Sequence, residues 1–306
     1  MTTLYISHPE CMSHDMGSHH PESPARLGVI FKMVDELPWV DQLKRETAPQ
    51  IDTILLNDVH SADYLRRLSE LKPSEGLVAL DGDTSLNPHS IKAAQFAAGA
   101  SVRAVEAVMD EQIDNAFCAV RPPGHHAESI SGMGFCIYNS IALAAERALS
   151  LGAERIAILD FDVHHGNGTT EIFQNRPEVM VCSSFQYPFY PGRYDDIDRK
   201  HIVLTPLAAG TASAAFKTAI ERDWLPALQS HQPDIILVSA GFDAHREDPL
   251  GSLMLEDEDY LWLTQLIANS AEQLCNGKIV SMLEGGYHLD ALARSVKLHL
   301  SALARQ

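Results

Sequence analysis

The chain has 306 residues, 45% of them hydrophobic and 21% charged, a composition that supports a large apolar core and excludes an intrinsically disordered protein. Its net charge of −18 argues against nucleic-acid binding through phosphate contacts, and is typical either of an acidic soluble protein or of one with a cationic ligand. No apolar run approaches the ~20 residues of a membrane span, and Met1–Ser7 does not resemble a secretion signal, so the sequence predicts a cytoplasmic protein without membrane contact.

Short β-branched runs alternate with helix-like stretches along the whole chain. Each run is almost continuously apolar, as expected of strands that are covered on both faces. The predicted strands are Thr3–Ser7, Ala116–Val120, Ile156–Asp160, Val179–Ser183, Ile235–Ser239 and Ile279–Leu283. The predicted helices are roughly Pro88–Met109, Asn139–Leu151, Ala212–Gln229, Glu256–Cys275 and Leu289–Ala304. This alternation predicts an α/β fold in which residues 1–306 form a single domain, with an open, mainly parallel sheet and helices on both faces.

Other segments carry weaker signals. Phe185–Arg199 contains two prolines, a glycine and several aromatic residues without a period, so we expect a long loop, and long loops in compact domains are often functional. The acidic cluster Glu256–Asp259 opens a predicted helix, where carboxylates favour the helix dipole, and we interpret it as structural. Five cysteines without a C-x-x-C pair argue against a disulfide framework or a cysteine-rich zinc site. We expect Cys118, Cys136 and Cys182 in the core.

Four predicted strands lead into segments of unusual polar content. These segments are RPPGHHA (Arg121–Ala127), DFDVHHGNG (Asp160–Gly168), SAGFDAH (Ser239–His245) and LEGGYHL (Leu283–Leu289). Open α/β sheets bind their ligands beyond the carboxyl ends of the strands. We therefore expect the functional site at this edge of the sheet, and we expect most of the 15 histidines outside these motifs to be ordinary surface or loop residues.

One group of side chains in these segments suits a metal ion. Asp160, Asp162 and His164 alternate along an extended chain, so their side chains project to one side. Asp162 and His164, joined by Asp243 from another strand end, would offer two carboxylates and one imidazole to a divalent metal. Three protein ligands leave a position for water, which is the arrangement of a catalytic zinc site. D-x-H alone would more simply be a hydrogen-bonded pair that caps a strand, but the nearby histidines favour the metal.

A histidine pair and a tyrosine suit proton transfer and oxyanion stabilisation. His125 and His126 follow two prolines and a glycine, a stiff turn that fixes the pair. Histidine titrates in the range required to take a proton from water and to return one to an amine leaving group. Tyr287 follows Gly285–Gly286, and its hydroxyl can donate to a developing oxyanion. In other positions the pair would be interpreted as surface residues, and the tyrosine as a packed turn residue.

These motifs, together with His20-Pro21-Glu22, GFCIYNSIALAA (Gly134–Ala145) and REDPLG (Arg246–Gly251), resemble the zinc-dependent histone deacetylase family. The likeness is nearer to the class II and bacterial amidohydrolase members than to class I, and it runs from His20 to Tyr287. It implies the arginase/deacetylase fold. It also implies that the chain removes acetyl or other acyl groups from the ε-amine of lysine in proteins or peptides, with one catalytic Zn²⁺ and a structural K⁺.

The resemblance also implies a role for each matching residue. The positions that match catalytic residues are His125, His126, Asp160, Asn167 and Tyr287. The positions that match the zinc ligands are Asp162, His164 and Asp243. The family's potassium site corresponds to Asp160, Ser183, Ser184 and the backbone carbonyls of Asp162 and His164. The acyl-lysine channel corresponds to Gly134, Phe135, Tyr190, Leu250 and Gly286.

Within this set, the implied chemistry is specific. His126 matches the general base and acid, and His125 matches its charge-stabilising partner, which pairs with Asp160. Tyr287 matches the transition-state tyrosine, and Gly134 matches the backbone carbonyl that receives the substrate amide N–H.

Two positions depart from the family pattern. Arg193-Tyr194-Asp195 follows Pro191–Gly192, where the family usually has another glycine, so we expect the rim of the channel to have its own shape. Tyr190 replaces a commoner phenylalanine and adds a hydroxyl near the channel. We expect both changes to affect specificity rather than chemistry.

Three other functions are weighed against lysine deacylation. Arginase-type ureohydrolases need a second metal, whose ligands would fall at Gly166 and His245, so a binuclear site is disfavoured. Acetylpolyamine hydrolases carry a gatekeeper glutamate where this chain has Leu250, which favours acyl-lysine, although Glu247 and Asp248 could still attract a polycation. A silent acyl-lysine binding module would have lost a ligand, the base or the tyrosine, and none is missing. Homo-oligomerisation is left open.

Overall fold

The computed structural model describes residues 2–306. In chain order the strands are β1 (Thr3–Ser7), β2 (Leu43–Thr47), β3 (Val78–Ala79), β4 (Ser85–Leu86), β5 (Asn115–Cys118), β6 (Ile156–Asp160), β7 (Val179–Gln186), β8 (Ile202–Leu207), β9 (Ile235–Ala240) and β10 (Ile279–Leu283). Eight of them form one sheet in the order β2-β1-β5-β10-β9-β6-β7-β8, and every neighbouring pair in it is parallel. The short strands β3 and β4 form a separate antiparallel pair.

Helices cover the sheet in two layers. They are α1 (Ala25–Asp35), α2 (Ala62–Leu71), α3 (Ser90–Met109), α4 (Ser140–Ser150), α5 (Asn167–Phe173), α6 (Ser213–His231), α7 (Asp257–Cys275) and α8 (Leu289–Ala304). Helices α3 and α4 pack against each other in one layer, while α1, α8, α7 and α6 pack in a row in the other. The strands between these layers are buried along nearly their whole length, as parallel strands with helices on both faces must be.

The predicted α/β architecture is confirmed, and the five predicted helices agree with the structure to within two residues at each end. Among the strands, β7 continues three residues beyond the predicted end, because Ser184–Gln186 pair with β8. The prediction lacked β8, which contains Pro206 and forms one edge of the sheet. It also lacked the other edge strand, β2, in which only Leu43 is buried. Edge strands need neither a continuous apolar run nor a full set of hydrogen bonds, so their sequence signal is weak.

Local sequence explains where several helices begin. The acidic cluster Glu256–Asp259 forms a capping box at the start of α7. The Glu256 side chain accepts from the Asp259 N–H, and the Asp259 side chain accepts from the Glu256 N–H. The structural interpretation of this cluster is therefore confirmed. Asn139 caps α4 through a 3.0 Å bond from the Ala142 N–H. All five cysteines are buried thiols, as expected for Cys118, Cys136 and Cys182.

The order of the strands determines where the site lies. Strand β6 lies three positions from β5 in the sheet, and the later strands β9 and β10 occupy the two positions between them. As a result, the four strands that lead into the polar segments are neighbours in the centre of the sheet. Their carboxyl ends lie at one edge, where open parallel sheets form their binding crevice. None of the helices within residues 2–306 is long and apolar enough to cross a membrane.

Candidate active site

A narrow pocket of about 240 Å³ opens at the carboxyl edge of the sheet. It is lined by Asp83, His126, Gly134, Phe135, His164, Phe189, Tyr190, Leu250 and Tyr287. Seven of these nine residues belong to the set predicted from the sequence, and the other two are Asp83 and Phe189. The pocket therefore brings together residues from segments that are far apart in the chain.

Asp162, His164 and Asp243 form a cluster at this pocket. One candidate ligand atom from each lies within 4.8 Å of the other two, and all three residues are buried. The Nδ1 of His164 is 3.0 Å from an Asp162 oxygen and 3.1 Å from an Asp243 oxygen. Backbone N–H groups orient the carboxylates, since Val163 donates to Asp243 and Gly285 donates to Asp162, both at 2.8 Å. The side chains are thus held in place by the backbone around them.

The electrostatics of this cluster favour a cation. Burial, together with the charge of Asp162, raises the pKa of Asp243 to about 7. Burial also opposes ionisation of Asp162, but the charges of His125 and His164 outweigh it and lower its pKa. Two buried carboxylates this close repel each other unless positive charge lies beside them. Two carboxylates and one imidazole are ligands that zinc accepts, with room for water at a fourth position, so the donor set fits one Zn²⁺.

Gly285 allows the backbone to approach this cluster. A Cβ atom at this position would collide with the carboxylates of Asp243 and Asp162. A side chain here would therefore displace one of the candidate ligands. The sequence indicated only a turn at the glycine pair, and the structure adds this requirement for close approach.

The histidine pair lies beside the cluster, with ring centroids 4.0 Å apart. His125 Nδ1 is 2.9 Å from Asp160 Oδ2, and His126 Nδ1 is 2.7 Å from Asn167 Oδ1. Burial lowers the pKa of His126 well below its usual value, and the charges of His125 and His164 lower it further. For His125, the carboxylates of Asp160 and Asp162 outweigh burial and raise the pKa well above its usual value. The two adjacent imidazoles therefore have opposite charge preferences.

Tyr287 faces the pocket from the loop after β10. Its backbone N–H donates to Asp248 Oδ2 at 2.6 Å, and the guanidinium of Arg26 lies 5.0 Å from its ring centroid. Burial raises the pKa of the Tyr287 hydroxyl well above its usual value, and the charge of Asp243 adds to the rise. The hydroxyl therefore keeps its proton at neutral pH and can act as a hydrogen-bond donor.

The walls of the pocket are mostly apolar and aromatic. Gly134 and Phe135 both have left-handed backbone conformations, with φ of +58° and +68°, and a Cβ at Gly134 would collide with the ring of His126. The Phe135 ring lies edge-to-face with Tyr287, at 5.9 Å between centroids. The predicted Leu250 also lines the pocket. A narrow passage between such surfaces suits an unbranched aliphatic chain.

The loop predicted at Phe185–Arg199 supplies two aromatic residues rather than one. Tyr190, the predicted wall residue, lies edge-to-face with His126, at 5.3 Å between centroids. Phe189 stacks on His164, also at 5.3 Å, with an angle of 15° between the rings. The sequence marked this loop as functional, but without a period it could not indicate that both neighbours face the pocket.

Among the predicted residues not yet described, Gly286 and the two serines lie away from the pocket lining. Gly286 has a φ of +118°, and its carbonyl accepts from Arg26 Nε at 2.6 Å, so it contacts Arg26 and not the pocket. Ser183 pairs in register with Asp160 on the neighbouring strand, and Ser184 follows it. Both serines are buried. Of the residues predicted for potassium, Asp160 and Ser183 therefore lie next to each other on adjacent strands.

Most of the other histidines lie at the surface or in loops, as expected, but several are buried. Eight of the 15 are buried, and five of these lie outside the predicted group of His125, His126 and His164. They are His14, His60, His165, His245 and His299. Each has a hydrogen-bond or ion-pair partner that removes the cost of burial, as with the 2.9 Å contact between His165 Nδ1 and Ser183 Oγ. Long-range partners of this kind cannot be identified from one sequence.

Three polar residues around the site were missed as well. Asp83, from the hairpin loop between β3 and β4, accepts from the Gly134 N–H at 2.9 Å. Glu128 accepts from Asn167 Nδ2 at 2.7 Å, and Arg26 contacts the Tyr287 loop. Glu128 follows the RPPGHHA motif directly, and Arg26 follows His20-Pro21-Glu22 by four residues, so a signal for each was present. Asp83 lies far from every motif in the sequence.

Comparison with known proteins agrees with this geometry. Residues 20–303 match the family model described as "Histone deacetylase domain". A probable deacetylase of Archaeoglobus fulgidus is 35% identical, over 95% of this chain and 82% of its own. A histone deacetylase-like amidohydrolase of Pseudomonas aeruginosa is 36% identical, over 88% of this chain and 72% of its own. The crystal structure of the HDA15 HD domain matches with a TM-score of 0.93 and 30% identity, over 100% of this chain and 89% of that one.

Proposed function

Because the chain belongs to the histone deacetylase family, we propose that it is a zinc-dependent amidohydrolase that removes acetyl or other acyl groups from the ε-amine of lysine in proteins or peptides. One observation carries the proposal. A candidate metal cluster, a neutral histidine and a protonated tyrosine meet at a single narrow pocket. These are the groups that hydrolysis of an unactivated amide requires.

In this proposal Asp162, His164 and Asp243 hold the zinc ion. When bound, zinc would lower the pKa of a coordinated water and polarise the amide carbonyl. Asp160, Ser183 and Ser184, with backbone carbonyls of Asp162 and His164, would hold K⁺ behind it. Since the Val163 and Gly285 N–H groups already orient the carboxylates, little reorganisation accompanies metal binding.

The proton transfers fall to the histidine pair. His126 is neutral, and its Nδ1 faces Asn167, so Nε2 is left to accept a proton from the attacking water. His125, held by Asp160, is cationic and stabilises the negative charge that develops beside it. A protonated histidine then returns a proton to the nitrogen of the departing amine.

The remaining groups position the acyl-lysine. The Tyr287 hydroxyl donates to the carbonyl oxygen as it becomes an oxyanion. The Gly134 carbonyl accepts the amide N–H of the substrate. Phe135, Phe189 and Tyr190 enclose the four methylene groups of the lysine side chain, which are apolar and unbranched.

The second candidate is hydrolysis of acetylated polyamines. It is favoured by the carboxylate of Asp83 in the pocket lining and by the net charge of −18, since both attract a polycation. Against it, Leu250 lines the pocket where a charged gatekeeper would have to lie. We therefore place acyl-lysine first.

The decisive experiment is hydrolysis of an acetyl-lysine peptide by metal-quantified protein. We expect turnover that a chelator abolishes and that added Zn²⁺ restores. Tyr287→Phe should lower turnover by about two to three orders of magnitude, because it removes one oxyanion donor, while zinc content stays unchanged. Binding of the peptide without turnover, at full zinc occupancy, would instead indicate a silent binding module. A parallel series of acylated lysines and acetylpolyamines would rank the two candidate substrate classes.

A further inference from the structure

A charged side chain from the loop that contributes Phe189 and Tyr190 to the pocket contacts a buried carboxylate, two residues after the histidine pair. Arg193 lies in the segment that departs from the family pattern, and its Nη2 is 2.8 Å from Glu128 Oε2. The Arg193 side chain is 50% exposed, whereas that of Glu128 is 2% exposed. A buried carboxylate without a cationic partner is strongly destabilised, so Arg193 provides the compensating charge.

The second oxygen of Glu128 contacts Asn167. Glu128 Oε1 accepts from Asn167 Nδ2 at 2.7 Å, and on the other side Asn167 Oδ1 is 2.7 Å from His126 Nδ1. An ionised carboxylate can only accept hydrogen bonds. The amide nitrogen of Asn167 must therefore face Glu128, and its oxygen must face His126.

This orientation determines which nitrogen of His126 carries the proton. The Asn167 oxygen also only accepts, so His126 Nδ1 must be the N–H donor. In a neutral imidazole the other nitrogen, Nε2, then keeps its lone pair. A flipped amide would present N–H to Nδ1 and would favour the tautomer that is protonated at Nε2, which cannot act as a base there.

We propose that Glu128 and Arg193 form a positioning pair, which acts through Asn167 to hold His126 in the tautomer with Nε2 free. The charge of Arg193 holds the Glu128 carboxylate in place, and Glu128 orients the amide. The pair thereby connects the rim loop to the histidine that would accept the proton. The effect on rate rests on the proposed function, whereas the effect on the tautomer does not.

The two segments that carry the pair are each held by further contacts. Ser129, next to Glu128, is held independently by Glu171, which accepts from its N–H and its hydroxyl at 2.9 Å each. The rim loop has its own second attachment, because His165 Nε2 donates to the Tyr194 carbonyl at 3.0 Å. Substitutions in the pair should therefore leave the backbone in place.

The test uses the zinc-loaded full chain with Glu128→Gln, Arg193→Met, Arg193→Lys and the double variant Glu128→Gln/Arg193→Met. Nitrogen NMR of isotope-labelled histidine should show His126 protonated at Nδ1 in the parent protein. It should show a mixture of tautomers in Glu128→Gln, because a glutamine amide can face Asn167 either way. Activity on an acetyl-lysine peptide should fall about tenfold or more in kcat, as for other residues that orient a reacting group, with KM nearly unchanged.

The double variant tests whether Glu128 and Arg193 act as a pair or make two independent contributions to kcat. Arg193→Met alone should lower kcat, and Arg193→Lys should recover most of it because the charge is kept. Once Glu128 is glutamine, there is no carboxylate to compensate, so adding Arg193→Met should have no further effect. The matched control is Arg199→Met, in the same loop. Within residues 2–306, its guanidinium hydrogen-bonds only to the neighbouring Asp198 carbonyl, so its loss should leave kcat unchanged.

Unchanged His126 resonances in Glu128→Gln would overturn the proposal, whatever the activity. The proposal would also fail if the losses of kcat in the two single variants multiplied in the double variant. A rise in KM with kcat preserved in Arg193→Met would contradict it as well, since either result would make Arg193 a separate contact for the substrate. If the parent protein hydrolyses no acyl-lysine or acetylpolyamine, the proposed function fails. The NMR comparison then decides the positioning role by itself.

Discussion

At the scale of single residues, environment gives one residue type several roles. His125 and His126 are adjacent and both buried, yet the carboxylates around His125 outweigh burial and raise its pKa, whereas burial and then the cationic neighbours lower the pKa of His126. Opposite shifts in neighbouring groups are what a combined base and charge stabiliser requires. The sequence predicted the pair, but the signs of the two pKa shifts depend on burial and on Asp160, Asp162 and His164, whose side chains meet the pair only in the fold.

Leu250 lines the pocket, which permits a direct test of substrate class. Leu250→Glu adds a negative charge next to the channel, so we expect kcat/KM for an acetylpolyamine to rise about tenfold relative to an acetyl-lysine peptide. The control is Leu250→Gln, because glutamine has nearly the same shape as glutamate but no charge. It should shift the ratio of the two kcat/KM values much less. Equal ratios in the glutamate, glutamine and parent proteins would remove Leu250 from specificity.

His299 makes a prediction about acid stability. It is buried between Thr264 Oγ1 at 2.7 Å and Ser281 Oγ at 2.8 Å, and burial lowers its pKa to about 3. Between that value and the ordinary pKa of about 6.5, the unfolded chain binds a proton that the folded chain excludes, so stability falls as the pH falls. At pH 5, which is about 1.5 units below the ordinary pKa, the free energy of unfolding is therefore lower by about 2 kcal/mol, at about 1.4 kcal/mol per pH unit.

His299→Gln keeps an amide donor and acceptor but cannot titrate. We expect it to be less stable than the parent protein at about pH 7.5, and we expect the difference to shrink by about 2 kcal/mol at about pH 5. Urea unfolding at the two pH values measures this change. The control is the exposed His19→Gln, which should show the same small difference at both. A constant gap for His299→Gln would contradict a neutral buried imidazole.

At the scale of secondary-structure elements, predictability follows burial. Central strands such as β6 and β9 are almost continuously apolar and were predicted closely. The edge strands β2 and β8 were missed, because their stability comes from pairing with a buried neighbour more than from their own composition. The short helix α5 was missed because it begins inside the DFDVHHGNG motif, where the residues suit the site as well as a helix.

Asn139 illustrates how one buried residue joins several elements. Its Oδ1 caps α4, while its Nδ2 donates to the Ala127 carbonyl at 3.0 Å and to Thr169 Oγ1, on α5, at 3.3 Å. Asn139→Ala removes the cap and leaves a buried carbonyl without its partner, so we expect a loss of about 2–3 kcal/mol. The melting temperature should fall by about 5 °C. The control is Asn269→Ala on the exposed face of α7, and an equal change in the two variants would show that these bonds add nothing to stability.

At the scale of the whole molecule, local patterns and strand order contribute different information. The motifs could be placed at strand ends from sequence, and a parallel sheet puts all such ends at one edge. That β5, β10, β9 and β6 are direct neighbours could not be deduced, because strand order is a non-local property. For the same reason the sequence did not place the β3–β4 hairpin, and with it Asp83, at the pocket.

The net charge of −18 should act on substrate encounter. Acidic surfaces attract cationic substrates over about a Debye length, which is about 10 Å at 0.1 M salt. We expect an acetyl-lysine peptide flanked by lysines to show a higher kcat/KM at low salt than the same peptide flanked by glutamates, with kcat alike for both. Raising the salt from about 0.01 M to about 0.5 M should bring the two kcat/KM values together, because the Debye length falls from about 30 Å to only a few ångströms. Parallel salt curves for the two peptides would show that this charge serves solubility and has no part in choosing the substrate.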